Sequence, residues 1–278
     1  MRLLLLEGNT RAARAASALA GVAAPGEIYA RALRAEVPGA YIRMVYGADT
    51  DCPVPDDNEI TECDGLVISG SALHAYDLAE PVTRQIEFVQ QVARLGLPIF
   101  GSCWGLQIAV MAAGGMVARN EHRAEMGIAR KIWQVEAGQD HPLLAGRAPC
   151  FDAPCIHYDD VTQMPANSTV LAANSHCPVQ AAEIRLEKSV IWAVQYHPEF
   201  DLPHTADLFE FYAEGMVRNG YFHDASSLAS YAADLRQAAS FGSQSPAAFR
   251  LGVDEDVIDG HIRRTEIRNW LEMIPASA

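Results

Sequence analysis

The 278 residues are half hydrophobic by count, with 20% charged and 8% aromatic side chains and a formal net charge of −14. That is enough apolar sequence for one sizeable core, as one domain with an extension or as two small domains. The acidic balance argues against a nucleic-acid groove or an anionic membrane surface, both of which reward a basic patch, and it fits a small-molecule substrate.

The chain opens on four leucines, Leu3 to Leu6, followed by Glu7-Gly8. The apolar run is too short for a signal peptide and has no small-residue cleavage site behind it, so it reads as a buried strand. No stretch has the length needed to cross a bilayer. A cytoplasmic location is expected, with all six cysteines reduced.

Residues 2–6 and 40–47 read as strands, with an Ala-rich helical stretch between them. Gly65 to Ile68 is a short apolar run passing into the loop Ser69-Gly70-Ser71. Val82, Ile86, Val89 and Ala93 recur at helical spacing, and Gly96 and Pro98 end that helix. Residues 98–101 form another buried strand, and a helix runs from Trp104 through Val110 to Gly114-Gly115. Strand alternating with helix predicts a parallel sheet covered on both faces. Beyond about residue 116, β-type runs succeed one another at 128–135, 151–156, 169–173, 179–185 and 190–196. After Pro203 the chain turns helical. Leu208, Tyr212 and Met216 share one face, Ser240 to Pro246 is a connection, and Trp270 is a packing anchor on a last helix. The fold class is therefore α/β: a flavodoxin-like, mostly parallel open sheet flanked by helices, with extra strands over 1–203 and a helical extension over 204–278.

The chemistry concentrates in two segments. Gly101-Ser102-Cys103-Trp104-Gly105-Leu106-Gln107 puts a cysteine at a sharp strand-to-helix turn, where small neighbours avoid clashes and the helix N-terminus favours a thiolate. On the flanking glycines alone, a buried structural cysteine is an equal reading. The strand Ile191 to Tyr196 then ends in His197-Pro198-Glu199. That histidine offers a general base and the carboxylate two residues on an orienting group.

Together, Gly-x-Cys-x-Gly-x-Gln and the later Gln-Tyr-His-Pro-Glu resemble the class I glutamine amidotransferase family. The resemblance implies a triad of Cys103, His197 and Glu199, and an oxyanion hole from the backbone amides of Gly70 and Trp104. It further implies substrate contacts from Ser71, Gln107 and the loop Asn174-Ser175-His176-Cys177. Ser71-Ala72 departs from the family's common Gly-Gly-Pro form. Glu125-Met126-Gly127 matches a family signature without a chemical reason visible in the sequence. The matched segments span roughly 65–200 and resemble stand-alone, GMP-synthase-like members most, with γ-glutamyl peptidases as close relatives.

Three functions follow. The first is glutamine hydrolysis supplying ammonia to a separate synthase subunit. The second is a free-standing γ-glutamyl hydrolase acting on an amine or peptide derivative. The third is an inactive binding or regulatory module. The extension has three roles open to it: a cap over the site, a homodimer contact or a dock for a synthase. No cofactor is expected. Cys150, Cys155 and His157 offer metal ligands without a second cluster of zinc-like spacing, so no metal is expected either. Asp254 to Gly260 resembles a calcium loop, but its glycine falls one position late, and it reads as a capped helix start or a turn. His74, His141 and His204 stand in no motif.

Overall fold

The computed structural model describes residues 1–121 and 124–275. The strands are β1 (Arg2–Leu6), β2 (Tyr41–Val45), β3 (Gly65–Ile68), β4 (Ile99–Ser102), β5 (Met116–Arg119), β6 (Glu125–Gln134), β7 (Cys150–His157), β8 (Asp159–Gln163), β9 (Ser168–Ala173), β10 (Ala181–Leu186) and β11 (Ser189–Val194). Nine of them form one sheet in the order β2-β1-β3-β4-β11-β10-β9-β6-β7. The first five in that order pair parallel, and the rest are antiparallel. β5 and β8 make a separate antiparallel pair. The α/β expectation holds.

Helices follow the early strands: α1 (Arg11–Leu19), α2 (Pro25–Glu36), α3 (Asp57–Thr61), α4 (Glu80–Leu95) and α5 (Trp104–Ala112). Alternating strand residues serve opposite faces of the sheet. Leu4, Leu6, Leu66 and Ile68 pack with Phe88 and Val89 of α4 and Ile108 of α5. Leu3, Leu5, Val67 and Phe100 pack on the other face with Tyr29 and Leu33 of α2. This is why the leucines of β1 are all buried, as a strand covered on both sides requires. α4 ends at Gly96, whose φ of 87° is the left-handed cap that glycine adopts without strain.

The remaining helices are α6 (Glu136–Gln139), α7 (Leu202–Phe211), α8 (Ala213–Arg218), α9 (Ala225–Phe241), α10 (Pro246–Leu251), α11 (Glu255–Ile258), α12 (Gly260–Arg263) and α13 (Thr265–Met273). Helices α7 to α11 bury a third apolar cluster around Phe209, Leu228, Leu235 and Val257, joined by Ile128 of β6. The chain then returns to the main sheet. Trp270 of α13 lies 5.8 Å from Phe100 between ring centroids, and a Cβ on Gly65 would come within 3.0 Å of its ring. Glu266 of α13 accepts from Tyr196 Oη at 2.8 Å and from Arg147 Nε at 2.7 Å, all three residues buried.

Several boundaries differ from the sequence reading, while the reading of Asp254–Gly260 as a capped helix start is borne out. β11 stops at Val194, because Gln195 turns its N–H to Gln180 and His197 turns its own to Pro154. α9 runs through Ser240 and Phe241, so the connection is only residues 242–245. The Asp254–Gly260 run is two successive helix starts, with Asp259 accepting from the N–H groups of His261 and Ile262.

Candidate active site

Cys103 stands between β4 and α5 with φ 52° and ψ −99°, a strained conformation for a residue with a Cβ. Two close approaches make the turn possible. A Cβ on Gly101 would lie 2.7 Å from Gly105 Cα, and one on Gly105 would lie 2.9 Å from the carbonyl oxygen of Ile68. The flanking glycines thus let the helix start pack directly on β3 and β4. The Cys103 N–H donates to Val194 O at 2.8 Å, tying the turn to the end of β11.

His197 arrives from that same strand end. Its ring stacks flat on Phe200, with centroids 3.9 Å apart and planes within 2°. Nδ1 lies 2.6 Å from Glu199 Oε1, and Ser102 Oγ donates to the same oxygen at 2.9 Å. Burial works against charge on the imidazole. The field of Glu199, then the field and hydrogen bonding of Cys103, outweigh it and push the pKa up to about 10. The charged form of the imidazole is thereby favoured beside the sulfur, which lies 3.5 Å from Ile156 O. Gly70 presses its backbone against this ring, since a Cβ there would meet Cε1 at 3.0 Å.

Cys103, His197, Gly70, Ser71 and Gln107 all line one cavity of about 440 Å³. The Trp104 indole is buried and donates to Gln85 Oε1, while its backbone N–H, the first of α5, has no intrahelical acceptor. Ser71 and Gln107 are partly engaged: Ser71 Oγ donates to Gly8 O at 2.9 Å, and Gln107 Nε2 donates to Asp159 O at 3.0 Å. The loop bearing Ser175, His176 and Cys177 is not part of the cavity wall. His176 instead packs edge-on against His157, which is in the wall.

His157 centres a second buried cluster. Its Nε2 lies 3.0 Å from Glu125 Oε2 and its Nδ1 lies 3.1 Å from Asp160 Oδ1. Burial opposes charge here too, but hydrogen bonds to Asp160 and Glu125 raise its pKa to about 10. Glu125 also accepts from Asn174 Nδ2 at 2.6 Å and Gln180 Nε2 at 2.8 Å. That explains the Glu125-Met126-Gly127 signature: the carboxylate ties β6 to β7 and to the β9–β10 connection, and Gly127 has φ 87° with Tyr231 and Phe209 packed over it. Among the described residues, ligand atoms of His157, Asp160 and Cys177 gather within 4.8 Å. Nε2 is held by Glu125, and Nδ1 lies between the Asp159 carbonyl at 3.3 Å and Asp160 Oδ1 at 3.1 Å, so this is an ion-paired cluster. Cys150, by contrast, is exposed at the other end of β7.

Beyond the sulfur the cavity is mostly apolar. Ala13, Val22 and Pro25 come from the segment around α1, and Leu208, Phe211 and Met216 from α7 and α8. These contributors carried no motif. A shared apolar face at Leu208, Tyr212 and Met216 was the only available signal, and it does not say what the face covers. His74, at the cavity rim, pairs with Asp159 at 2.6 Å.

Comparison with known proteins accords with this geometry. The model of the glutamine amidotransferase class-I family matches residues 41–213. The chain is 32% identical to γ-glutamyl-L-1-hydroxyisopropylamide hydrolase of Pseudomonas sp., over 98% of this chain and 92% of that protein. A GMP synthase (glutamine-hydrolyzing) of Thermomicrobium roseum is 31% identical over 49% of this chain, but only 23% of its own length is matched. A solved glutamine amidotransferase of Thermotoga maritima shares the fold at a TM-score of 0.67 and 14% identity, covering 100% of this chain and 99% of that one. The protein is a member of the class I glutamine amidotransferase family.

Proposed function

We propose that the protein hydrolyses the γ-amide bond of γ-glutamyl amines, with Cys103 as nucleophile, His197 as acid and base, and Glu199 as the group that orients His197. The observation that carries this reading is the apolar chamber beyond Cys103. Ammonia needs no such room, whereas an alkyl amine attached to the γ-carbonyl fills it. The identity along nearly the whole chain to a hydrolase of a γ-glutamyl hydroxyalkylamide supports the same reading.

The steps follow from the geometry. The Cys103 thiolate adds to the γ-carbonyl carbon, and the oxyanion falls to the amides of Gly70 and Trp104. His197 delivers its proton to the leaving nitrogen, and the C–N bond breaks to give free amine and a γ-glutamyl thioester. The neutral imidazole then takes a proton from water, whose oxygen attacks the thioester and releases glutamate. Ser71 and Gln107 stand at the glutamyl end.

Glutamine hydrolysis with ammonia transfer to a synthase is the second reading, favoured by the partial matches to GMP synthases. Glutamate release from a panel of γ-glutamyl alkylamides, run beside L-glutamine, separates the two. The expected kcat/KM for a small branched alkylamide exceeds that for glutamine by about 10- to 200-fold, the discrimination that added apolar contact supplies. Glutamine turning over faster than every alkylamide would sink the proposal in favour of ammonia supply. No turnover of any of them would favour an idle module.

A further inference from the structure

A second cavity of about 420 Å³ adjoins the first, with Ala23 and His204 in both walls and Glu199 in its own, and its wall has a different chemistry. Three guanidinium groups line it, from Arg31, Arg263 and Arg264, together with the acidic residues Glu199, Asp201 and Asp207. Asp201 accepts from the N–H of His204 and Asp207 from Arg236, whereas Glu199 gives Oε1 to His197 and its Oε2 has no hydrogen-bond partner among the described residues. Arg264 is paired with Glu36 at 2.8 Å.

Arg263 is the anomaly. It is 95% buried, its exposure being 5%. Its Nη1 donates to the carbonyls of Val257 and Ile258, but its Nε has no hydrogen-bond partner among the described residues. No carboxylate lies within ion-pairing distance of it among those residues, although Asp201 acts on it at longer range. Burial accordingly lowers its pKa to about 10, with Asp201 opposing that effect. Buried charges are otherwise compensated by a partner, because desolvation without one is costly. Arg31, at the exposed rim, likewise has no ion pair among the described residues.

We propose that this second cavity is a binding site for a small oxyanion, a carboxylate or a phosphate, seated on Arg263 with Arg31 at its rim. A planar guanidinium with an unused N–H edge suits two-oxygen recognition of that kind. The site adjoins the catalytic cavity, sharing Ala23 and His204 with it, but Arg31 and Arg263 line only the second cavity, and the proposal does not depend on the substrate assigned above.

Thermal melting of the full chain, titrated with sodium phosphate and separately with sodium acetate, tests it against sodium chloride of matched ionic strength. Saturable stabilisation is expected in one oxyanion series, about 2–4 °C or more above chloride, and the series that saturates identifies the group. Arg263→Met should abolish the response. Arg31→Gln, at an exposed position with no structural bond to lose, should weaken it several-fold and keeps the test open if the first variant does not fold. Equal behaviour of both oxyanions and chloride would overturn the site. So would an Arg31→Gln variant that responds like the unaltered chain, and the same dependence excludes binding in the catalytic cavity as the source of the response.

Discussion

Two buried histidines face the same cavity, and both are held cationic with pKa values near 10. They differ in what their nitrogens touch. His157 is closed at both ends by Glu125 and Asp160. His197 gives only Nδ1 to a carboxylate, and its other interactions include the Cys103 sulfur. The difference teaches that a strongly shifted pKa does not by itself mark a reacting group. The proposed reacting histidine is the one whose second nitrogen is left without a carboxylate.

The largest expected effect tests the His197 side of this comparison. Cys103→Ala should lower glutamate release by about 10⁴-fold or more, with the melting temperature little changed. Glu199→Gln should cost about 10²- to 10⁴-fold in kcat, since the imidazolium loses its carboxylate and its orientation. If Glu125→Ala cost as much activity per folded molecule as Glu199→Gln, the distinction between the two histidines would collapse.

The His157 side should respond in stability. Glu125→Ala strands the buried imidazolium and frees Asn174 and Gln180, an expected loss of about 3–5 kcal/mol by denaturant unfolding. The pH dependence has a worked sign. The folded-state pKa values of both histidines are raised from 6.5 to about 10, so their contribution is complete below 6.5 and is lost as pH rises through about 10. Burial raises the carboxyls of Glu125 and Asp160, but the bonds to His157 win and hold both below their ordinary values. Their contribution is present above the ordinary carboxylate range and fades as pH falls through the lowered values. Melting temperature should therefore fall from pH 6.5 toward 10, and fall less steeply in Glu125→Ala. A flat profile in the unaltered chain would remove the premise that either histidine is charged.

The smallest expected effect sharpens the geometry. Gly101→Ala forces a Cβ to within 2.7 Å of Gly105, at an expected cost of about 1–3 kcal/mol. It displaces the turn that carries Cys103 while leaving the His157 cluster alone. Activity should fall by more than the folded fraction does, measured as kcat corrected for the unfolded population.

Much of this arrangement was legible before any coordinates. The strands β1, β3 and β4 are short apolar runs closed by glycine or serine, and local sequence suffices to place such elements at a sheet's carboxyl edge. Cys103 sits at the end of β4, and the His197–Glu199 pair lies just beyond β11, its parallel neighbour. The reading failed where structure depends on distant partners. β8, with Asp159, Asp160, Thr162 and Gln163 among its five residues, has too little apolar pattern to announce a strand and exists through its pairing with β5. His157 looked like an unsupported metal ligand because its partners come from the neighbouring strand β6 and from β8. The apolar chamber is assembled from α1, α7 and α8, three segments that no motif connects.

The last helix has a consequence for how the protein is made. Glu266 holds Tyr196, the residue just before His197, and Trp270 covers Phe100, three residues before Cys103. Both halves of the proposed site are thus braced by a segment that the ribosome delivers after every proposed catalytic residue. A nascent chain that has already emerged past His197 carries every proposed catalytic side chain, yet its sheet is open on the face where Trp270 belongs. Competence should therefore wait until α13 has emerged and docked on the sheet.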